Sequence, residues 1–141
     1  MIVVDTNVLS EAMKPADIRS PRAFAWWREQ SIDILFTTTI TLAEVLAGVA
    51  ILPEGKRRAQ KQDAAERIFA TVFAQRILPF DEAAARAYAG IITMRRKLGR
   101  SSDPFDIQIA AIAKTHGMAV ATRNVPDFAE IGVEVIDPWA H

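Results

Sequence analysis

The chain has 141 residues, half of them hydrophobic, and contains no cysteine. The length is that of one compact domain, so we expect residues 1–141 to form a single domain, and the apolar content excludes a largely disordered chain. The absence of cysteine excludes disulfides and thiolate zinc sites. No apolar run is long enough to cross a bilayer and Met1 opens no secretory signal, so we expect a cytoplasmic protein without membrane contact.

The charges balance: Lys and Arg number 17, Asp and Glu number 17, and the formal net charge is zero. A basic excess is typical of nucleic-acid binders and is absent here. The positive charges nevertheless form two runs, which we interpret as solvated helix faces, a groove for phosphates being the alternative. The runs consist of Lys56, Arg57, Arg58 and Lys61, and of Arg95, Arg96, Lys97 and Arg100.

Strands and helices alternate along the first half of the chain. Short apolar runs predict the strands, and capping residues followed by apolar residues at helical spacing predict the helices. The predicted elements are a strand over 2–4, a helix over 8–13 stopped by Pro15, a helix over 21–30 capped by Ser20, a strand over 34–37 and a helix from Thr41 through Val49. Thr41 and Glu44 have the spacing of a capping box, in which Glu44 bonds a backbone N–H.

The second half continues the alternation. Its predicted elements are a helix over 56–75, a strand over 77–80, a helix from the cap Asp81 to about Leu98, a helix from the cap Asp103, a strand over 118–122, a loop over 123–128 and a strand over 133–136. Pro79 indicates a sheet edge, and Gly99 and Gly117 mark helix ends. The alternation predicts an α/β fold with a mainly parallel central sheet of four to five strands flanked by helices.

Oxygen-bearing side chains follow several of these strands. Asp5 directly follows the first strand, Glu44 lies in the first helical turn after the second, and Asn124 follows the strand over 118–122. Asp106 lies in the first turn of the helix capped by Asp103. In parallel sheets functional residues gather where the strands end, so these four side chains are candidates for one site. Carboxylates are the ligands that Mg²⁺ prefers.

Each candidate also has a purely structural interpretation. Asp5 is a suitable helix cap, Glu44 fits the capping box, and Asp106 favours the helix dipole in the first turn. Asn124 is suited to a turn with left-handed backbone geometry. Asp103 is interpreted as a cap only. The joint arrangement, rather than any one residue, favours a site.

Five short motifs, in order along the chain, resemble those of PIN domains. They are Asp5-Thr6-Asn7 after the first strand, TLAE at 41–44 with Gly48, DIQIAA at 106–111, ATRN at 121–124 followed by Asp127-Phe128, and VIDPW at 135–139. The last motif is similar to the FitB-like branch of VapC toxins. The resemblance spans the whole chain and implies a PIN-like three-layer sandwich.

The resemblance also implies an activity: a Mg²⁺-dependent endoribonuclease that hydrolyses RNA phosphodiester bonds with metal-activated water, Mn²⁺ being an alternative ion. Asp5 and Asp106 are then the principal metal ligands. Glu44 is a further ligand or orients the attacking water, and Asn124 is an outer ligand. Many relatives carry aspartate at the position of Asn124, and Asp127 is an alternative for this role. Arg123 is a candidate phosphate contact, or else part of a salt bridge at the sheet rim.

Resemblance to FitB-like toxins implies a toxin–antitoxin system. The expected partner is a small DNA-binding antitoxin whose tail covers the acid site, and the expected assembly is a homodimer or a larger toxin–antitoxin complex. Large apolar residues are candidates for a groove that holds the tail or the dimer partner, or for the core. They are Phe24, Trp26, Trp27, Ile51 and Leu52.

Several alternative functions remain open at this stage. A housekeeping RNA-processing PIN nuclease and a non-catalytic PIN-like binding module share the motifs, and the uncharged Asn124 is the best argument for the second. An aspartyl-phosphate enzyme with Asp5 as nucleophile expects a second aspartate two positions on, where Asn7 stands. Metal-free cleavage by paired histidines is disfavoured, since the only histidines are interpreted as a helix end, His116, and a tail, His141.

Overall fold

A computed structural model describes all 141 residues and contains five strands and seven α-helices. The strands are β1 (Ile2–Val4), β2 (Leu35–Thr38), β3 (Ile77–Leu78), β4 (Ala119–Ala121) and β5 (Val135–Ile136). The helices are α1 (Thr6–Ala12), α2 (Pro21–Glu29), α3 (Thr39–Ala50), α4 (Lys56–Thr71), α5 (Glu82–Lys97), α6 (Pro104–Thr115) and α7 (Val125–Phe128). Short 3-10 turns occupy Ile32–Ile34 and Pro138–Ala140.

The strands form one sheet in the order β3-β2-β1-β4-β5, and every pairing is parallel. The predicted α/β fold with a mainly parallel sheet of four to five strands is therefore confirmed. Strand β3, which is followed by Pro79, is an edge strand as predicted. Because β1 is central, the residue that follows it, Asp5, lies between the ends of β2 and β4. We call this side of the sheet, where the strands end, the carboxyl edge.

Helices cover both faces of the sheet, because side chains of adjacent strand residues point to opposite sides. Val3 is buried in one core cluster with residues of α5 and α6, and Val4 is buried in the other with residues of α1, α2 and α4. Helix α6 is the most deeply embedded, with six buried residues. The three-layer arrangement that the family resemblance implied is confirmed.

Local capping rules place most helix starts correctly. The side chains of Ser20, Asp81 and Asp103 each accept a hydrogen bond from a backbone N–H in the first turn of the helix that follows. Gly99 and Gly117 have positive φ angles of 68° and 64° just beyond helix ends, a conformation that glycine adopts without strain. These interactions are local, which is why the sequence pattern predicts them.

Two predicted elements are wrong. Helix α3 begins at Thr39 rather than Thr41, because β2 runs directly into it and the Thr38 hydroxyl accepts the Thr41 N–H at 3.1 Å. The capping box of Thr41 with Glu44 is therefore not formed, and Glu44 lies in the second turn of the helix. The segment 123–128, predicted as a loop, contains the helical turn α7.

The second basic run is not wholly a solvated face, since Arg95 is only 2% exposed. Its guanidinium donates to the Ser102 hydroxyl at 2.8 Å, to the Ser101 carbonyl at 2.8 Å and to the Ala129 carbonyl at 3.1 Å. Arg95 thereby connects the segment before α6 with the residue after α7. The prediction is wrong here because the Arg95 guanidinium is enclosed by the segment before α6 and by Ala129, which lies 34 residues away.

The structure contains no helix that combines the length and the apolar character needed to cross a membrane.

We expect Arg95→Ala to lower the free energy of unfolding by about 2–3 kcal/mol, because it removes a buried side chain and its three hydrogen bonds. Chemical denaturation measures the change. The matched control is Arg96→Ala, which removes an exposed neighbour and should change stability by less than about 0.5 kcal/mol. Equal losses in the two variants would contradict the role assigned to Arg95.

Candidate active site

Asp5 lies at the centre of the carboxyl edge and is 1% exposed. Its Oδ1 accepts the Val8 N–H at 3.0 Å, so it caps α1, and its Oδ2 accepts the Thr122 hydroxyl at 2.5 Å. Burial raises the pKa of Asp5 to about 6, against the lowering effect of the Thr122 and Val8 hydrogen bonds and with a further increase from the charge of Glu44. Capping and a functional role are therefore compatible in Asp5.

Glu44 reaches from α3 towards α1, where the Thr6 hydroxyl donates to its Oε1 at 2.7 Å. The same hydroxyl lies 3.2 Å from the Thr41 hydroxyl. Since Thr6 directly follows Asp5, this bond holds the Glu44 carboxylate beside the end of β1. The side chain that was expected to cap its own helix instead contacts a different element.

Asp106 is in contact with the segment that follows β4. The Asn124 amide donates to its Oδ2 at 3.3 Å, and the Asp127 carboxyl lies within hydrogen-bonding reach. Burial, the Asp127 contact and the nearby charges of Asp103 and Asp5 raise the pKa of Asp106 to about 7, although the Asn124 bond lowers it. Asp127, the alternative to Asn124 at the fourth position, is thus placed against Asp106.

Asn124 does not have the left-handed backbone that a turn interpretation predicts, since its φ is −86°. Its backbone N–H donates to the Thr122 hydroxyl at 2.9 Å, and that hydroxyl in turn donates to Asp5. Thr122 therefore links the Asp5 side to the Asp106 side of the carboxyl edge.

The side chains form a row at the carboxyl edge, which we call the acid row. Its members are Glu44, Asp5, Asn124, Asp106 and Asp127, connected by the hydroxyls of Thr6 and Thr122. No three His, Cys, Asp or Glu side chains lie close enough together to hold a metal ion. Like charges repel at short range, and Asp5, Glu44 and Asp106 each take a neighbouring hydroxyl or amide as partner, whereas Asp127 faces the Asp106 carboxyl.

The chemistry of the acid row fits a hard divalent cation. Its donor atoms are carboxylate and amide oxygens. No Lys or Arg forms an ion pair with Asp5, Glu44 or Asp106, and the pKa values of Asp5 and Asp106 are both raised. These are the properties of carboxylates whose charge a bound cation would compensate.

Thr6 and Thr122 lie within the motifs at 5–7 and 121–124 but were not among the predicted site residues. Both are threonines directly beyond a central strand end, one after Asp5 and one after β4. That position was the available signal. Their hydroxyls are the only side-chain hydrogen-bond partners of Glu44 and Asp5 in the structure, so they fix where these carboxylates point.

An apolar cavity of about 370 Å³ lies beside Thr6 and Glu44, with Val45, Val49 and Leu52 among its walls. Of the large apolar residues expected to form a groove, only Leu52 lines it. The others are placed elsewhere: Trp26 is buried in the core, Trp27 packs edge-on against Phe73, Phe24 lies under the Arg19 guanidinium and Ile51 is 84% exposed.

The remaining candidates lie at different places. Arg123 is exposed, forms no ion pair and has its guanidinium 5.2 Å from the centre of the Trp139 ring, so the salt-bridge interpretation is wrong. His116 is the C-cap of α6, as predicted, and His141 contacts Glu29 at 2.6 Å. The two histidines therefore do not form a pair.

The raised pKa values make the stability of the metal-free protein depend on pH. Because folding raises the pKa of Asp5 to about 6 and of Asp106 to about 7, the stability that these two groups contribute is greatest at low pH and is lost as they ionise up to neutral pH. We expect Asp106→Asn, in the presence of a chelator, to have a higher melting temperature than the wild type at pH 8 and a similar one at pH 4. The exposed Asp63→Asn is the control. A difference that is the same at both pH values would contradict the pKa shift.

The chain is also similar in sequence to known proteins. The family model described as "PIN domain" matches residues 2–134. The chain is 40% identical over 139 residues to VapC ribonuclease Y4jK of Sinorhizobium fredii, covering 99% of this chain and 98% of the relative. It is 38% identical over 139 residues to Toxin FitB of Neisseria gonorrhoeae, covering 99% of each chain.

Solved structures agree with this likeness. The crystal structure of FitAcB from Neisseria gonorrhoeae superposes with a TM-score of 0.93 at 38% identity and 100% coverage of both chains. A member of the VapBC family of toxin–antitoxin systems from Mycobacterium tuberculosis has a TM-score of 0.66 at 26% identity, with 95% of each chain covered. Family model, sequence identity and fold lead to one conclusion: the chain belongs to the PIN-domain family.

Proposed function

We propose that this protein is a divalent-metal-dependent endoribonuclease and the toxin of a toxin–antitoxin pair, with residues 1–141 acting as one nuclease domain. The observation that carries the proposal is the acid row at the carboxyl edge of a PIN-family sheet. The names of the relatives, a VapC ribonuclease and the toxin FitB, support the same activity.

In this proposal Asp5 and Asp106 hold the cation, which is Mg²⁺ or alternatively Mn²⁺. Glu44 is a third ligand or holds the attacking water, and Asn124 and Asp127 support Asp106 from its outer side. When bound, the cation polarises the scissile phosphate and makes water a better nucleophile.

The hydroxyls of Thr6 and Thr122 orient Glu44 and Asp5. A bound cation would draw the carboxylates of the acid row closer together than they lie in this structure. Without a cation, the carboxylates of the acid row would repel an RNA phosphate. A bound cation would compensate this charge, and Asp5 and Asp106 are the residues that would hold it beside the phosphate.

The proposed partner is a small DNA-binding antitoxin whose tail covers the acid row in the cytoplasm. The apolar cavity beside Thr6 and Glu44 supports this, because it adjoins the acid row and carries Lys14 and Lys61 among its walls. Likeness to a member of a toxin–antitoxin family supports the assignment. We propose a homodimer, or a larger toxin–antitoxin complex, as the resting form.

The two remaining alternatives are separated by simple observations. A neighbouring small antitoxin reading frame distinguishes a toxin from a housekeeping RNA-processing nuclease. A non-catalytic module was suggested by the uncharged Asn124. The contact of Asp127 with Asp106 supplies a carboxylate at that corner and weakens this argument.

We expect Asp5→Asn and Asp106→Asn each to lower Mg²⁺-dependent cleavage of RNA by about a hundredfold or more, because each removes a charged ligand without removing volume. Asn is also a good helix cap, so α1 should persist in Asp5→Asn. Gel assays of RNA cleavage and growth arrest on expression measure the loss. Asp63→Asn is the control, and a wild type no more active than the two site variants would refute the proposal.

Metal binding gives an independent test. We expect Mg²⁺ to raise the melting temperature of the wild type at pH 8 and to have little effect at pH 5, where protons compete for the carboxyls of Asp5 and Asp106. Thermal unfolding with and without Mg²⁺ measures the shift, and Asp106→Asn should abolish it. A shift that is equally large in Asp106→Asn would show that the cation binds elsewhere.

A further inference from the structure

A second, polar cavity of about 290 Å³ adjoins the first, shares Ser10 and Lys14 with it, and has no role in the chemistry described above. Its walls come from α1, from the residue after Thr122 and from the turn Pro138–Ala140 that follows β5. The lining residues are Asn7, Ser10, Glu11, Lys14, Arg123 and Trp139. All three segments begin at the carboxyl edge, and Asn7 stands two residues after Asp5. The cavity is therefore next to the acid row.

The cavity carries a net positive charge, in contrast to the acid row. Lys14 pairs with Glu11 at 2.7 Å, and the second oxygen of Glu11 accepts the Ser20 N–H at 2.5 Å. Glu11 is 6% exposed and is thus fully engaged as a structural group. Arg123 has no carboxylate partner. The charge of Arg123 also acts on Glu11, whose pKa is lowered first by Lys14 and further by Arg123. Two cations against one carboxylate leave a net positive charge for an anion, and guanidinium is well matched to phosphate.

The same cavity offers a stacking surface. Trp139 is half-buried, its backbone N–H is held by Asp137 at 2.9 Å, and the Arg123 guanidinium lies 5.2 Å from the centre of its ring. Indole rings and guanidinium planes are the surfaces on which unpaired bases stack in single-stranded RNA complexes. Asn7 and Ser10 are exposed, and their side chains form no hydrogen bonds within the protein, so they are available to a base edge.

We propose that this cavity binds one nucleotide of the RNA strand adjacent to the scissile phosphate. Arg123, assisted by Lys14, holds its phosphate, and Trp139 stacks against its base. The inference rests on the proposed ribonuclease function and extends it from the acid row to the flanking strand. The volume of about 290 Å³ is just below the usual range for small-ligand pockets, about 300–1,000 Å³, so the cavity has room for no more than a single nucleotide.

The phosphate contact is tested by the salt dependence of binding. The probe is a fluorescein-labelled single-stranded RNA of mixed sequence, about 12 nucleotides long, which is within the usual range of single-strand binding sites. Binding is measured by fluorescence anisotropy with Ca²⁺ in place of Mg²⁺. We expect Arg123→Ala to weaken binding about tenfold and to reduce the slope of log affinity against log salt by about 0.7, the value for one phosphate contact on a single strand. Arg123→Lys should keep the slope. The control Arg67→Ala removes an exposed arginine of α4 and should match the wild type.

The stacking contact is tested with Trp139→Leu on the same RNA and on an abasic strand of equal length. We expect affinity for the RNA to fall about tenfold with an unchanged salt slope, and affinity for the abasic strand to stay within about twofold. Trp139→Phe keeps an aromatic ring and should recover most of the loss. If Trp139→Leu does not fold, the affinity of Trp139→Phe for the two strands is the measurement that tests stacking.

Several outcomes would overturn the proposal. One is that Arg123→Ala and the Trp139 variants all bind RNA as tightly as the wild type. Another is that Trp139→Leu loses the same affinity for the RNA as for the abasic strand. A third is that the wild type binds no RNA. Loss of antitoxin binding with unchanged RNA binding would also overturn it and assign the cavity to the partner. Failure of the proposed function is a separate result. It is seen as a wild type that does not cleave RNA with Mg²⁺ and is independent of whether Arg123 and Trp139 bind the strand.

Discussion

The buried carboxylate of Asp5 joins three parts of the molecule at once. One oxygen caps α1, the other accepts the hydroxyl of Thr122 beyond β4, and its backbone N–H pairs with the Ala121 carbonyl. The central position of β1 makes this possible, because the strands on either side end at the same edge. Burial and nearby negative charge hold the pKa of Asp5 well above its ordinary value. The fold therefore supports a carboxylate that is unfavourable in the absence of a cation, and the rest of the acid row is arranged around it.

The other members of the acid row depend on contacts between distant elements. Thr6 fixes Glu44 from a different helix, and Asn124 and Asp127 meet Asp106 only because α7 folds back towards α6. Arg95 supports this arrangement, since it bonds the segment before α6 to the residue after α7. Electrostatics then divides the carboxyl edge into two regions. The acid row attracts a cation, and the adjoining cavity with Lys14 and Arg123 attracts an anion, a pairing suited to a phosphodiester strand.

Errors in the sequence-based prediction have two origins, a competing local contact and a contact between distant segments. The capping box of Thr41 and Glu44 was a valid local pattern, but β2 leads directly into α3, and Thr38 takes the cap. Arg95 was assigned to a solvated face because the sequence shows a charge run and does not show the carbonyls that surround it. Asn124 was compatible with a left-handed turn, but in the structure its N–H donates to the Thr122 hydroxyl and its φ is negative. The Thr38 cap and the Thr122 bond join residues three and two positions apart, so they are local contacts that competed with the predicted ones. Arg95 differs, since one of its acceptors, the Ala129 carbonyl, lies 34 residues away.

The sequence by itself determined the alternation of strands and helices, the caps at Ser20, Asp81 and Asp103, the parallel sheet and the family, because these depend on local periodicity and on short motifs. It also determined that Asp5 and Asp106 are the principal candidates. Only the tertiary structure decided the partners of those carboxylates, the placement of Asp127 against Asp106 and the cavity shared by Asn7, Arg123 and Trp139. The physical reason is that hydrogen bonds, burial and charge interactions act through space, between segments whose proximity is set by packing of the whole fold.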